Sequence, residues 1–374
     1  LLLPVSLFVG PLITEILVFL ICFSFIYNLI LEKKKISFNN FEIMIISFFC
    51  LIVISSLLSD HKIISLKSSF LSIRFVILIY AIIFIIKKLD YFFKYFFIIC
   101  LGSFILNILF GFTQFVFGSD FFLISKGYRW DQPFIISGFF GDEKKLGSFM
   151  CRLLPIVVGS YLLVSKKKLE KKITNILIFF IPLFTLVILT SERMALVYCT
   201  FTFLFVIFYG FKINKKIIII FSFLILLIPL LFYILNFNKI RTNLLNTHEQ
   251  VFPKGKLVFF SEQHQVFAIT SIELFKKKPI LGIGPNNFRR KCTEVNNDII
   301  TEKYGFDASN IQNCSTHPHN IFFQLLSETG LIGIIYYIIF NILLFIETFK
   351  FLFKKNYNQI SFFFLLPVIY YLNP

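Results

Sequence analysis

The sequence predicts an all-α polytopic membrane protein of about ten spans, with one large hydrophilic loop that contains short helices. Three observations predict it. Hydrophobic residues make up 57% of the 374-residue chain and charged ones only 15%, more apolar surface than a soluble domain of this size can hide. The apolar residues run in continuous stretches as long as a helix needs to cross a bilayer, about twenty residues. The stretches do not alternate polar with apolar, which excludes a barrel, the other architecture that satisfies its backbone in lipid.

Spans read near residues 11–31, 41–58, 69–87, 92–117, 146–164, 173–190, 194–211, 217–235, 320–347 and 358–374, and residues 1–9 read as the tail of an earlier span. Lys33–Lys35, Lys87 with Lys88, Lys166–Lys168 with Lys171 and Lys172, Lys212 with Lys215 and Lys216, and Lys350 with Lys354 and Lys355 fall in alternate loops. The positive-inside bias puts all of these on the cytoplasmic side. The loops 59–68, 118–145, the turn at Ser191 and the long loop 236–319 then face outward. The chain divides into transmembrane helices over 1–235, the large outward loop over 236–319, and C-terminal transmembrane helices over 320–374, one functional domain overall. Because it starts at Leu1 and stops at Pro374 after an apolar run, it reads as a fragment of a roughly 12-span protein.

The net charge of +17 does not point to nucleic acid, since the lysines cluster beside the spans. Five cysteines (Cys22, Cys50, Cys100, Cys151, Cys199) lie in apolar runs and read as small hydrophobes. Cys292 and Cys314 lie in the outward loop, where the compartment oxidises, and a disulfide between them is expected. Residues 264–278 carry apolar side chains at Val266, Phe267, Ile269, Ile272 and Phe275, which suits a short amphipathic helix that ends near Pro279. It either lies on the membrane surface or packs on the bundle.

Four segments could carry chemistry. The first is His317-Pro318-His319-Asn320, followed by Gly330 and Gly333. If one helix runs through them, Gly330 lies about 20° from His319 and Gly333 on the same side, so one stripe carries an imidazole above a smooth patch. Such an imidazole can act as a base near neutral pH, or else it is a helix-start histidine above a packing face. The second is Arg193, after Ser191 and Glu192 between two spans. A cation at membrane depth is expensive and suits a phosphate, unless Glu192 neutralises it or it snorkels. The third is Pro279 to Cys292, a Gly-rich turn followed by Arg289 and Arg290. Its backbone amides and two arginines could hold an anion, or the arginines form a surface cluster. The fourth is Ser137 to Gly147, where Asp142 and Glu143 either orient an arginine or acceptor sugar or stand at a helix start. The five histidines have no metal-ligand spacing, so no metal is expected. No phosphate-binding loop is present, so neither ATP nor a cofactor is expected.

In order and spacing these pieces resemble the O-antigen ligase and O-antigen polymerase superfamily of bacterial envelope enzymes. His319-Asn320 with Gly330 and Gly333 is similar to its hallmark histidine motif, Pro279 to Gly284 with Phe288-Arg289 to its loop segment, and Arg193 to its mid-chain arginine. The resemblance implies a metal-independent, inverting glycosyltransferase of the bacterial inner membrane with its site facing the periplasm. The donor would be a glycan on undecaprenyl pyrophosphate. The acceptor would be a lipid A-core sugar for a ligase, or a second lipid-linked repeat unit for a polymerase. His319 would activate the acceptor hydroxyl and Arg193 would bind the donor pyrophosphate. Family ligases often carry an arginine early in the loop helix. Here the residues are Gln263, His264 and Gln265, so Arg289, Arg290 or His264 would share that role. A transporter of lipid-linked sugars is the other reading, and the concentration of polar residues in one outward loop speaks against it.

Overall fold

The computed structural model describes residues 1–32, 40–117, 136–141, 145–211, 262–305, 308 and 311–353, together with 216, 219, 220, 223 and 227. The span expected at 358–374, nearly all of that at 217–235, the loop before 262, and Asp142 and Glu143 lie outside the described residues. The regular structure described is helical: α1 (Leu3–Val9), α2 (Pro11–Glu32), α3 (Asn40–Leu57), α4 (Lys62–Lys88), α5 (Phe92–Phe117), α6 (Leu146–Val164), α7 (Leu169–Thr190), α8 (Arg193–Phe211), α9 (Glu262–Lys277), α10 (Phe288–Lys291), α11 (Asn297–Tyr304) and α12 (Ile321–Phe353). Short 3-10 turns occupy Gly138–Phe140 and Cys292–Glu294. Among these, α2, α4, α5, α6, α7 and the segment Ile321–Ile346 of α12 are long and apolar enough to cross a membrane. Ile43–Leu57 and Arg193–Ile207 are shorter apolar segments. The chain is an α-helical, multi-pass membrane protein.

The chain falls into two compact units. One comprises Leu1–Val18, Ile85–Gly255 and Phe351–Tyr370, the other Phe19–Phe84, Lys256–Lys350 and Tyr371–Pro374. In the first, α5, α6, α7 and α8 share one apolar core around Phe104, Met150, Leu154, Leu177 and Phe180. The start of α6 is held from the α7–α8 turn. Glu192 Oε1 accepts from the Gly147 N–H (2.7 Å), and Oε2 accepts from the Ser148 N–H (2.9 Å) and hydroxyl (2.5 Å). A remote carboxylate thus satisfies amides that a helix start otherwise leaves open. Gly147 makes room for it, since a Cβ there would lie 2.6 Å from Thr190 Oγ1.

In the second unit two stretches of bare backbone run together. Ile283 and Gly284 donate their N–H groups to Ser327 O (2.9 Å) and Glu328 O (3.0 Å). In return Leu331 and Ile332 donate to Pro279 O (2.8 Å) and Ile280 O (3.3 Å). The helix α12 breaks at Gly330, which has φ 65° and ψ −160°. A Cβ on Gly330 would lie 2.5 Å from Ile280 O, and one on Gly282 2.3 Å from the Glu328 carbonyl carbon. Gly333 leaves space for the Thr329 side chain, whose Oγ1 would stand 1.8 Å from an added Cβ. The end of α3 and the start of α4 tie down the same loop. Ser55 donates to Leu281 O (2.7 Å), Ser59 to Ile283 O (2.9 Å) and Ser65 to Pro285 O (2.9 Å).

This arrangement corrects the stripe expected from the sequence. His319 is not on the helix, and Gly330 interrupts it, so a period of 3.6 residues does not connect them. The cause is the backbone ladder, which needs the α12 carbonyls and amides that an unbroken helix would consume.

The ladder makes a test. Gly282→Ala or Gly330→Ala should each cost about 3 kcal/mol or more, because a positive φ and a clash with rigid backbone add together. Gly305→Ala, also at positive φ but facing open space, should cost only about 1–2 kcal/mol. Thermal unfolding of the three variants in detergent measures the difference. Equal losses would refute the ladder.

Candidate functional site

The loop lobe has a core of its own. One face of α9 (Val266, Phe267, Ile269, Leu274) packs on Ile283, Phe288, Val295 and Ile300 from the following elements. The helix expected over 264–278 is present, and its apolar face packs into this lobe. Cys292 and Cys314 are joined by a disulfide with Cα atoms 5.2 Å apart, which ties the end of α10 to the strand of chain leading into the histidine segment.

The lobe edge is held by charge. The Glu273 carboxylate accepts from Lys276 (2.8 Å), Lys303 (2.9 Å) and the Tyr304 hydroxyl. Burial works against its ionisation, but these three donors outweigh burial and hold it down at about 2. Lys278 and Lys291, at 2.5 and 3.1 Å, hold the Asp60 carboxyl below the usual carboxylate range.

On this lobe three imidazoles come together. The His319 ring centroid lies 4.2 Å from that of His317 and 5.9 Å from that of His264, and it stacks on Phe267 at 5.5 Å. Phe267 in turn meets Phe288 edge-on at 6.5 Å. His319 has φ 54°, in the left-handed region, one residue before the helix cap. Asn320 is that cap: its Oδ1 accepts from the Phe322 N–H (2.9 Å) and the Phe323 N–H (3.2 Å). Ser315 Oγ lies 3.1 Å from His319 Nε2, and Thr316 Oγ1 lies 2.9 Å from His317 Nδ1. His264, His317 and His319 are all exposed.

The Gly-rich turn does not offer its amides to a ligand, contrary to the expectation. Ile283 and Gly284 spend theirs on α12, and Gly282 donates to Lys278 O at 3.0 Å. The amides that follow converge on the buried carboxylate of Glu328. Phe288 N–H reaches its Oε1 at 3.2 Å, and those of Asn286 and Asn287 face the same group. The group that fills this nest is the chain's own carboxyl. Arg289 and Arg290 point into solvent, and among the described residues neither has an ion-pair partner. Glu192 is committed to the start of α6, and among the described residues Arg193 makes no ion pair with it. Arg193 is at the start of α8 in the first unit, while the imidazoles and Arg289 and Arg290 belong to the second.

Sequence reading missed Phe267 as the stacking partner of His319, along with Ser315, Glu328, Asn287 and the α3–α4 serines. Asn287 Nδ2 donates to Ser59 Oγ (2.5 Å), Ser65 Oγ (2.9 Å) and Ile283 O (2.9 Å). The one available signal was an acidic residue, Glu328, inside an apolar run.

The Glu273 cluster sets a pH dependence. Its folded carboxyl titrates at about 2, against an ordinary value of 4.5. A depressed carboxylate stabilises the fold above the ordinary value and loses that contribution as pH falls toward the folded one. Glu273→Gln should therefore lower the unfolding temperature at pH 7, and its deficit against the parent protein should shrink between about pH 4.5 and about pH 2. A deficit independent of pH would show that the cluster does not act through ionisation.

Residues 178–338 fit the model of the family described as O-antigen ligase. That segment contains Arg193, the described part of the loop lobe, His319, Gly330 and Gly333. Neither the curated proteins nor the solved structures contain a match. Members of this family are glycosyltransferase-like enzymes of lipid-linked glycans. Over residues 178–338 the chain is similar to the O-antigen ligase family, which supports its likeness to the O-antigen ligase/polymerase superfamily.

Proposed function

We propose that the chain is an O-antigen ligase-like glycosyltransferase. It moves a glycan from undecaprenyl pyrophosphate to a lipid A-core sugar at the periplasmic face of the inner membrane. The observation that carries the reading is the packing of His264, His317 and Phe267 about His319 at the amino end of α12, inside the matched family segment.

The chemistry follows from the groups present. The neutral imidazole of His319 accepts the proton of an acceptor hydroxyl. The hydroxyl oxygen attacks the anomeric carbon from the side opposite the leaving group. The bond from that carbon to the pyrophosphate oxygen breaks, and its electron pair leaves with undecaprenyl pyrophosphate, so the configuration inverts. The leaving group departs as an anion and needs cations rather than a strong acid. Arg193, Arg289 and Arg290 are assigned to it, since a guanidinium matches a phosphate in bidentate fashion. His264, in the first turn of α9, takes the supporting place where family ligases often carry an arginine. Asp142 and Glu143 are assigned to orienting the acceptor. The reaction calls on no metal or cofactor.

The orientation belongs to the same proposal. About ten spans with the lysine-rich loops in the cytoplasm put the lobe in the periplasm. The Cys292–Cys314 bridge supports that side, because disulfides persist in oxidising compartments.

The experiment reconstitutes the full-length protein with an undecaprenyl-pyrophosphate glycan, offering either lipid A core or a second donor molecule. His319→Ala should lower transfer about 10²–10⁴-fold, the range for loss of a general base. Arg193→Ala should lower it about 10²–10³-fold while the protein stays in the membrane. Transfer only to the second donor would make the chain a polymerase, and undiminished transfer by His319→Ala would remove His319 from the chemistry. Movement of the intact donor across the bilayer without transfer would mark a transporter.

A further inference from the structure

At the α6–α7 loop the first unit holds a cavity that glycosyl transfer leaves unused. Its volume is about 320 Å³, and three helices wall it: α5 through Phe97 and Leu101, α6 through Val157 and Val158, α7 through Ile176 and Phe179. The polar side chains that border it are Lys167 of the loop, with Tyr161 and Asn175 in the helix turns nearest the loop. Asn175 Nδ2 donates to Tyr161 Oη at 2.7 Å, which leaves the tyrosine hydroxyl its own hydrogen to donate. The loop itself is strongly basic. Lys166, Lys167, Lys168 and Lys171 are all exposed, against one acid, Glu170. Lys172 serves the fold, since its Nζ donates to Leu162 O at 2.8 Å near the end of α6. Arg193 stands beyond the opposite end of α7, about 30 Å away along that helix.

We propose that this cavity takes one acyl chain of an anionic glycerophospholipid, whose phosphate the loop lysines and Tyr161 hold in the leaflet that the α6–α7 loop borders. The two ends of the site suit the two ends of such a molecule. Buried Val157, Val158 and Ile176 offer hydrocarbon walls. Tyr161, packed on Phe97 at 5.3 Å, has the amphipathic ring that settles at headgroup depth. A basic cluster directly beside a span attracts anionic lipid, about fivefold for each lysine near the surface. A free phosphate ion would leave the apolar walls unfilled, and a neutral lipid would leave the lysines unmatched. Such a site fills only when its ligand is abundant, and phospholipid is abundant around any span. The inference is independent of the glycosyl transfer proposed above and of which side of the membrane the loop faces.

Native mass spectrometry of the full-length protein, released from nanodiscs of phosphatidylglycerol mixed with phosphatidylcholine, tests it. The parent protein should retain phosphatidylglycerol in preference. The triple variant Lys166→Gln, Lys167→Gln, Lys168→Gln alters only exposed side chains. It should lose that preference about 100-fold, the effect of three charges, with an unchanged unfolding temperature. Val157→Phe narrows the cavity from one wall and should lose retention of phosphatidylglycerol with every lysine in place. Undiminished preference in the triple variant would overturn the proposal. So would undiminished retention by a folded Val157→Phe variant, which would leave only a diffuse attraction between the loop and the membrane surface. Retention of added undecaprenyl pyrophosphate in place of phosphatidylglycerol, through the same lysines, would overturn it as well.

Discussion

Two glycines that face each other across bare backbone, Gly282 and Gly330, are the constraint on which the second unit depends. Membrane helices keep their amides and carbonyls paired within themselves, because the hydrocarbon offers no substitute. A break in α12 at Gly330 would leave such groups open. The chain resolves this by bringing the Pro279–Gly284 segment close enough to exchange four backbone hydrogen bonds with Ser327–Ile332. That distance exists only where both sides lack a Cβ. The serines of α3 and α4 then take up the remaining carbonyls of the inserted segment.

The break has a consequence for the histidines. With its second half anchored by the ladder, the first half of α12 presents its amino end, capped by Asn320, at the lobe. The ladder also fixes Asn287 and Phe288, through Ser59, Ser65 and Glu328. Phe288 packs against Phe267, and Phe267 stacks on His319. A series of contacts therefore runs from the ladder to the imidazole through two aromatic rings, and the disulfide holds the other side of the approach. A left-handed histidine is an expensive conformation that persists only where its surroundings over-determine it.

Much of this was legible in the sequence, and the part that was not has a physical reason. The bounds of α5 at 92–117 and α6 at 146–164 follow from predominantly apolar runs, because length and composition mark a span even with Lys94 in the one and Arg152 in the other. The amphipathic character of α9 was readable as a pattern, but its packing partners in the lobe were not, since the pattern marks which face is buried and not what covers it. The placing of His319 and Gly330 on one stripe failed because periodicity assumes an unbroken helix, and only a distant segment reveals why this one breaks. The serine network was illegible for another reason. Serine is common at the ends of membrane helices, and nothing local marks Ser55, Ser59 and Ser65 as ligands of a loop more than 200 residues away.

The distribution of charge carries the argument one step further. Several of the described acids near the motifs are engaged in structure. Glu192 holds the start of α6, Glu328 fills the turn before α10, and Glu273, Glu294 and Asp60 bind lysines of the lobe. Among the described residues, the groups that face outward near the motifs include Arg289 and Arg290 on α10, the imidazoles about His319, and Glu262 at the start of α9. A pair of carboxylates would suit hydrolysis of a glycosidic bond, where a poor leaving group must be protonated. Imidazole with guanidinium suits a leaving group that is already an anion. The engagement of Glu192, Glu328, Glu273, Glu294 and Asp60 in structure is compatible with the activated, phosphorylated donor proposed above, whose leaving group calls for cations rather than a strong acid.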